Sequence, residues 1–488
     1  MLAATVLGSS MEFIDGTVVD VALPALQHGL GATGAQVQWV VEAYALFLSA
    51  LLLVGGALGD RLGLRRIFIS GVVLFAAASV WCGLAGSIGQ LIAARALQGI
   101  GGAMLVPNSL ALVSEHFPPE DRGRAIGTWS GFAAMMTAVG PVAGGWLVQH
   151  GSWRWVFYIN APLAIVTVWI VLQRVPKIGP AKNLGLRSMD WTGAALLTAG
   201  LAGVTFALIE GAMGAHGVWI AGVAGAVLLI AAFAVERRAK EPLVPLELFR
   251  SREFMGANLL TFCLYAAFGG ALFYLPLNLI QIQRYTPTQA GAATLPMIVV
   301  MFLLSRWSGG LMARCGARGP LVVGPLISAC GYGLLAHSGV GEPYGRAYLP
   351  AVLLLGLGMS VSVAPLTTVV LSSVEEWRTG AASGVNNAVS QVAALLALAV
   401  FAPAFFHAFS GSLEKNLAAA QISDATTRRV MAQEARLGAI ETADAAARRA
   451  VDEAFVNGFR VVTLAAAGLA VAASASAAAT IRTHVQQS

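Results

Sequence analysis

Long apolar runs recur at short intervals along almost the entire chain. Fourteen of them are about 17 to 25 residues long, the length that a helix needs to cross a bilayer. Eleven runs contain no Asp, Glu, Lys or Arg, and the exceptions are the first, second and fourth. The pattern predicts an all-α membrane protein with 14 transmembrane helices, which begin near residues 2, 38, 67, 88, 125, 155, 191, 217, 254, 287, 320, 347, 381 and 461.

The composition agrees with a membrane environment. Of the 488 residues, 57% are hydrophobic and 11% are charged, whereas a soluble domain carries about 25% charged residues. The net charge of +6 comes from basic residues scattered over many connections, without the stripe that nucleic-acid binding needs. The four cysteines have neither metal-ligand spacing nor a disulfide framework. We therefore expect no nucleic-acid partner, no metal site and no disulfide.

Charge asymmetry orients the predicted helices. Residues 1 to 10 lack the basic region and cleavage site of a signal peptide, so we expect the first run to remain as an anchor. Most basic residues of the short connections fall on one side, which the positive-inside rule makes cytoplasmic. Both termini are then expected to be cytoplasmic. The basic residues of that side include Arg61, Arg65, Arg66, Lys177, Arg237, Arg238, Arg250 and Arg314, against Arg154, Arg284 and Arg346 opposite.

An internal repeat predicts the architecture. One pentad of spaced residues recurs 253 positions later, and the pair Leu23-Pro24 recurs as Leu275-Pro276. Two six-helix halves must then flank two inserted helices, an arrangement of 6 + 2 + 6. The expected domains are an N-terminal bundle, 1–174, the inserted helices with linkers, 175–252, and a C-terminal bundle, 253–488, with an extracytoplasmic helical loop, 410–453. The pentad is Gly56, Leu58, Arg61, Gly63 and Arg65, repeated as Gly309, Leu311, Arg314, Gly316 and Arg318.

Five short motifs follow in order along the N-terminal half, each on a different predicted helix or its edge. They are MEFIDGTVVDVALP at 11–24, GALGDRLGLRR at 56–66, LIAARALQGIGGA at 91–103, GPVAGG at 140–145 and SWRWVFYINAP at 152–162. In these residues the chain resembles the major facilitator superfamily, and within it the fourteen-span drug:proton antiporters of the EmrB/QacA-like branch. The resemblance covers nearly the whole chain.

This resemblance implies a secondary active transporter with the major facilitator fold. It implies multidrug efflux, in which an amphipathic small molecule leaves in exchange for protons, as in antibiotic resistance. The proton motive force would drive transport without a cofactor, and no residue would be catalytic. The sequence does not decide whether a periplasmic adaptor takes part.

Two of the motifs carry expectations about conformational change. The loop at 56–66 resembles a cytoplasmic latch between the two halves, in which Leu64 and Ala313 depart from the family pattern and predict a weaker second copy. The fifth-span motif resembles that of antiporters, where a proline and glycines let the helix bend and pack closely. The residues concerned are Gly56, Asp60, Arg61, Gly63, Arg65 and Arg66 for the latch, and Gly140, Pro141, Gly144 and Gly145 for the antiporter motif.

Charged residues inside the apolar runs are the candidates for proton coupling, because each costs about 2.5 to 3.5 kcal/mol at the bilayer centre. We expect Asp15 to be the main coupling acid, Arg95 its regulator, and Glu12 or Asp20 to share the load. Counting 1.5 Å per residue puts Asp20 at the depth of Arg95 and makes it a candidate partner. A purely structural ion pair of Asp15 with Arg95 is the alternative. Glu42, one turn inside the outer edge, is expected to be hydrated.

Two other functions remain open from the residues alone. Uptake or uncoupled facilitation of a metabolite would use the same architecture, although the Gly-Pro motif of the fifth span disfavours it. A membrane enzyme or sensor would need convergent catalytic groups or a soluble output domain. The seven histidines are scattered, and no GxSxG or HExxH motif occurs.

Overall fold

The computed structural model describes residues 2–117, 119–175, 191–212, 217–238, 246–304, 316–375 and 379–481. Within these ranges the regular structure is entirely helical. The α-helices are α1 Leu2–Leu30, α2 Gly34–Leu62, α3 Leu64–Leu84, α4 Ile88–His116, α5 Pro119–His150, α6 Trp155–Tyr158, α7 Asn160–Arg174, α8 Trp191–Ala212, α9 Val218–Glu236, α10 Arg252–Leu277, α11 Pro287–Ala293, α12 Arg318–Ala336, α13 Tyr344–Ala347, α14 Leu349–Ser372, α15 Thr379–Ala419, α16 Asp424–Met431 and α17 Ala445–Thr480.

Thirteen helical segments in the described part of the chain are long and apolar enough to cross a membrane. Each coincides with a predicted span. The remaining predicted span, near residue 125, lies on α5, whose 32 residues extend over about 48 Å. The all-helical fold expected from the apolar runs is therefore confirmed.

The chain divides into two compact units. Unit 1 contains Met1–Ala22, Gln38–Val204 and Ile220–Pro245. In it, α3 packs against α4 and α7, and α8 meets α2 through Ala194 and Val54. Helices α8 and α9 approach each other closely at Gly200 and Gly225, because glycine has no side chain to separate the two backbones.

Unit 2 contains Leu23–Val37, Thr205–Trp219 and Leu246–Ser488. Its helix α10 packs against α15 and α17, and α12 packs against α14 and α17. Helix α10 continues into a π-helical turn, Asn278–Ile282, after Pro276. A π-helical turn widens a helix locally and is frequent at functional positions.

The Ala-rich stretch 410–453 is helical over most of its length but is not one helix. Helix α15 extends through its first ten residues, α16 and a 3₁₀ turn at Glu434–Ala439 follow, and α17 begins at Ala445. The Asp444 carboxylate accepts hydrogen bonds from the backbone N–H groups of Ala446 and Ala447, at 2.8 and 3.1 Å. This N-cap fixes the start of the last membrane helix.

Glycines set the spacing of the helices around α4. A Cβ on Gly101 would lie 2.6 Å from the backbone nitrogen of Phe75 in α3. A Cβ on Gly55 of α2 would lie 2.0 Å from the carbonyl oxygen of Ala103. Both neighbours are backbone atoms, which cannot move aside as a side chain can. Helices α2, α3 and α4 therefore pack at a distance that only glycine allows.

We predict that Gly101→Ala destabilises the protein by about 1 to 3 kcal/mol, because the added methyl must push α3 away from α4. The matched control is Gly89→Ala on the same helix, where an added Cβ meets no atom within 4 Å. Thermal unfolding of the purified variants measures the effect. An equal melting temperature for the two variants would contradict the close approach.

Candidate functional site

A buried ion pair lies at the centre of unit 1. Asp15 of α1 has no exposed surface, and Arg95 of α4 is 1% exposed. The Nη1 atom of Arg95 lies 2.5 Å from Oδ2 of Asp15. The structure therefore brings these two candidate coupling residues into direct contact. Two opposite charges that neutralise each other can remain inside an apolar bundle at far lower cost than either alone.

Neutral side chains complete the surroundings of the Asp15 carboxylate. Oδ1 accepts hydrogen bonds from Nε2 of Gln98 at 2.8 Å and from Nδ2 of Asn160 at 3.2 Å. The same amide group of Asn160 donates to Oγ of Ser79, and Ser79 donates to the carbonyl oxygen of Phe157. With Arg95, three side chains donate to the carboxylate. These contacts suit its ionised form.

Arg95 has partners of its own besides Asp15. Its Nε donates to the carbonyl oxygen of Val40 at 2.9 Å, and its Nη1 donates to Oε1 of Gln98 at 2.8 Å. Its guanidinium carbon lies 4.3 Å from the ring centroid of Tyr44, a cation–π distance. The ion pair and its hydrogen bonds thus connect α1, α2, α3, α4 and α7.

The sequence did not identify Gln98, Asn160 and Ser79 as members of this cluster. Gln98 follows Arg95 by three residues, one helical turn, within the fourth-span motif. Asn160 lies in the segment at 152–162 that resembles the sixth-span entrance. For Gln98, the available signal was a polar side chain one helical turn from a charged residue within an apolar run. Ser79 carries no comparable signal, since single serines are common in membrane helices.

The depth match made Asp20 a candidate partner of Arg95, but the ion pair that Arg95 forms is with Asp15. A count of residues along a helix gives a height along its axis but does not show which side of the helix faces Arg95. Helix α1 continues to Leu30, and Gln27 near its end donates a hydrogen bond to the carbonyl oxygen of Arg436. Glu12 and Asp20 are both partly buried.

The expectation that Glu42 is hydrated is also wrong. Its side chain has no exposed surface, although it lies only two turns after the start of α2. Other parts of the fold therefore bury Glu42. Counting residues along α2 does not show what packs against it.

The glycines of the antiporter motif form a contact surface for α1. A Cβ on Gly140 would lie 2.0 Å from Oγ1 of Thr17, and a Cβ on Gly144 would lie 2.4 Å from Cγ2 of Val18. Pro141 and Gly145 on the same helix are buried. The motif therefore packs directly against the turn of α1 that follows Asp15. This agrees with the expectation that its glycines permit close packing.

The loop at 56–66 forms the turn between α2 and α3. Gly63 has φ +99°, which a residue with a side chain rarely adopts. Arg65 donates from Nη2 to the carbonyl oxygen of Leu172 at 3.0 Å, near the C-terminal end of α7. A cation at that end satisfies a carbonyl group that has no partner within the helix. Asp60 and Arg66 are exposed, and Gly56 and Arg61 are partly buried.

The second copy of this motif repeats one of these contacts in unit 2. Arg318, the counterpart of Arg65, donates to the carbonyl oxygen of Ala478 at 2.6 Å, near the C-terminal end of α17. Gly316 repeats the positive φ of Gly63, at +67°. The corresponding arginine thus contacts the C-terminal end of a helix in each of the two units. Gly309, Leu311, Ala313 and Arg314 lie outside the described residues.

No cluster for metal binding occurs among the described residues, where no three His, Cys, Asp or Glu side chains come together. The buried polar groups of unit 1 instead surround a carboxylate with donors.

A family model described as Major Facilitator Superfamily matches residues 5–398. The chain is 36% identical over 415 residues to the tetracenomycin C resistance and export protein of Streptomyces glaucescens, covering 82% of this chain and 74% of that protein. It is 33% identical over 441 residues to the multidrug resistance protein Stp of Mycobacterium tuberculosis, strain H37Rv, covering 88% and 80%. The puromycin resistance protein pur8 of Streptomyces alboniger is 35% identical over 396 residues, covering 79% and 78%.

Solved structures share the fold at low sequence identity. A bacterial homolog of the human lysosomal transporter Spinster, inward-facing and occupied, superposes with a TM-score of 0.70 at 18% identity, covering 99% of this chain and 97% of that one. The POT family transporter PepTSo superposes with a TM-score of 0.65 at 14% identity, covering 100% and 98%. These similarities establish the fold.

We predict that Gly144→Ala destabilises the protein by about 1 to 3 kcal/mol, because its methyl would overlap Val18. Removing that obstacle with Val18→Ala in the double variant should restore part of the loss, so the two substitutions are coupled. Thermal unfolding of the single and double variants measures the coupling.

Gly16→Ala on α1 is the control, since a Cβ there meets no atom within 4 Å. Strictly additive effects of Gly144→Ala and Val18→Ala would contradict the packing of α5 on α1.

Proposed function

This chain belongs to the Major Facilitator Superfamily, and we propose that it exports amphipathic drugs or related small molecules in exchange for protons. The names of its relatives support export, since proteins at least 33% identical over about four-fifths of the chain are called resistance or export proteins. The observation that supports proton exchange is the buried Asp15 carboxylate, which lies beside the helix contact made by the antiporter motif.

We further propose that the protein belongs to the fourteen-span EmrB/QacA-like branch with a 6 + 2 + 6 arrangement. The repeated contacts of Arg65 and Arg318 support two related halves, 1–174 and 253–488. Helices α8 and α9 lie between them in the sequence and supply the two additional membrane helices, in the segment 175–252.

The distribution of basic residues supports a proposed orientation of the helices in the membrane. Basic side chains of the short connections favour the cytoplasm, so both termini would face it and residues 410–453 would face outward. A relative from Streptomyces glaucescens that is named as an export protein supports a bacterial cell membrane as the location.

Asp15 and Arg95 can couple proton movement to conformational change. While they are paired, the carboxylate needs no proton, because Arg95 balances its charge. If α1 and α4 separate, the carboxylate loses that counter-charge inside the membrane. A proton or a cationic substrate can then replace Arg95, and either one alone neutralises the carboxylate. Because the two compete for one site, entry of the proton releases the substrate.

The cytoplasmic motif would act as a latch during this cycle. Its turn at Gly63 and the contact of Arg65 with α7 make the loop rigid, and exposed Asp60 is available for charge-assisted contacts that form in one state and break in another.

An efflux panel tests the proposed function. The chain is expressed in a pump-deficient bacterial host and challenged with ethidium, puromycin and tetracenomycin C. We expect reduced accumulation of at least one compound, abolished by a protonophore. Accumulation that a protonophore does not change would remove proton coupling, and increased accumulation of a compound would favour uptake.

We predict that Asp15→Asn abolishes proton-gradient-driven efflux from vesicles, since asparagine cannot take up a proton. Glu12→Gln and Asp20→Asn should reduce it less. Initial rates are measured with the exported compound of the panel, and protein levels are matched by immunoblot. Full gradient-driven efflux in Asp15→Asn, with complete loss in Asp20→Asn, would assign the coupling to Asp20.

A further inference from the structure

Glu42 is a second buried acid, and the mechanism above does not use it. It lies on α2 with no exposed surface. Its Oε1 accepts one long hydrogen bond, 3.5 Å, from Nε2 of Gln38 one turn earlier. Its Oε2 has no hydrogen-bond partner, and the described residues place no Lys, Arg or His within ion-pair distance.

The surroundings of Glu42 contrast with those of Asp15. Asp15 accepts hydrogen bonds from three side chains, one of which is a guanidinium. Glu42 accepts from one neutral amide. A buried carboxylate without a counter-charge costs far more than a buried neutral acid, so a group in these surroundings is stable only with its proton.

Glu42 also lies apart from the ion pair. Val40 and Tyr44, which both contact Arg95, are two residues before and after it on α2. At 100° per residue, Glu42 lies about 160° around the helix axis from each of them. It therefore faces away from Arg95, on the opposite side of α2. The two acids share no hydrogen-bond partner among the described residues and therefore form separate sites.

We propose that Glu42 is a second proton-carrying carboxyl group and that it holds its proton in the conformation described here. Its part in exchange rests on the proposed function. When the surroundings of Glu42 open to cytoplasmic water, the O–H bond breaks and the proton passes to water, while the bonding electron pair stays on the carboxylate. Opening to the other side returns a proton from outside water to that oxygen.

Infrared spectroscopy tests the protonation without any substrate. The full chain is purified into lipid nanodiscs near neutral pH, and the carbonyl stretch of protonated carboxyl groups is compared between variants. Glu42→Gln should lose intensity from this band, since glutamine replaces the acid. Asp15→Asn should keep the whole band, because the three side chains that donate to Asp15 favour its ionised form. A band unchanged by Glu42→Gln would overturn the proposal.

Transport in proteoliposomes tests the role of that proton, with ethidium as the probe. In Glu42→Gln, gradient-driven ethidium transport should fall roughly tenfold or more, while ethidium counterflow without a gradient stays within about twofold. Glu42→Asp, which keeps a carboxyl group, should restore part of the gradient-driven rate.

Equal loss of both rates in Glu42→Gln would indicate a structural role and overturn the proposal, as would an unchanged gradient-driven rate. If wild-type transport ignores the gradient while counterflow persists, proton exchange itself fails. The infrared comparison then still reports whether Glu42 carries a proton, so the two failures can be told apart.

Discussion

An ionised group inside a bundle of membrane helices is stable only if the bundle supplies its counter-charge and its hydrogen bonds. In unit 1 this requirement is met at one point, where Arg95 and two amides donate to Asp15. Residues of α1, α3, α4 and α7 contribute side chains, and α2 contributes a carbonyl oxygen. The constraint also explains how such a pair can act as a switch, because any movement that separates it must provide another positive charge.

Close helix contacts bring the pair together. Glycines of α5 lie against Thr17 and Val18, one turn beyond Asp15, and Gly99 of α4 lies against the backbone of Tyr44. A methyl at any of these positions would move α1 or α2 away from its neighbour. The residues of the motif that resembles that of antiporters carry no charge. They contact α1, the helix of the Asp15 carboxylate, by packing.

Hydrophobic patterning was sufficient to predict the helices. Charge within apolar runs marked Asp15 and Arg95 among five candidates, the others being Glu12, Asp20 and Glu42. Neutral polar members of the site were harder to predict. Asn160 and Ser79 lie in apolar segments, and the sequence does not show which helix each side chain faces. The ion-pair partner of Arg95 and the burial of Glu42 are difficult to predict for a related reason. Both depend on where other helices end and what covers them, and the sequence of a single helix does not contain that information.

The proposed exchange depends on competition between a proton and the exported compound for the Asp15 carboxylate. This competition can be measured as proton release. Purified wild-type protein in weakly buffered solution with a pH-sensitive dye receives the compound that the efflux panel identifies. We expect binding to release protons, and Asp15→Asn to release fewer for each compound bound. Binding to the wild-type protein without any release of protons would contradict the account.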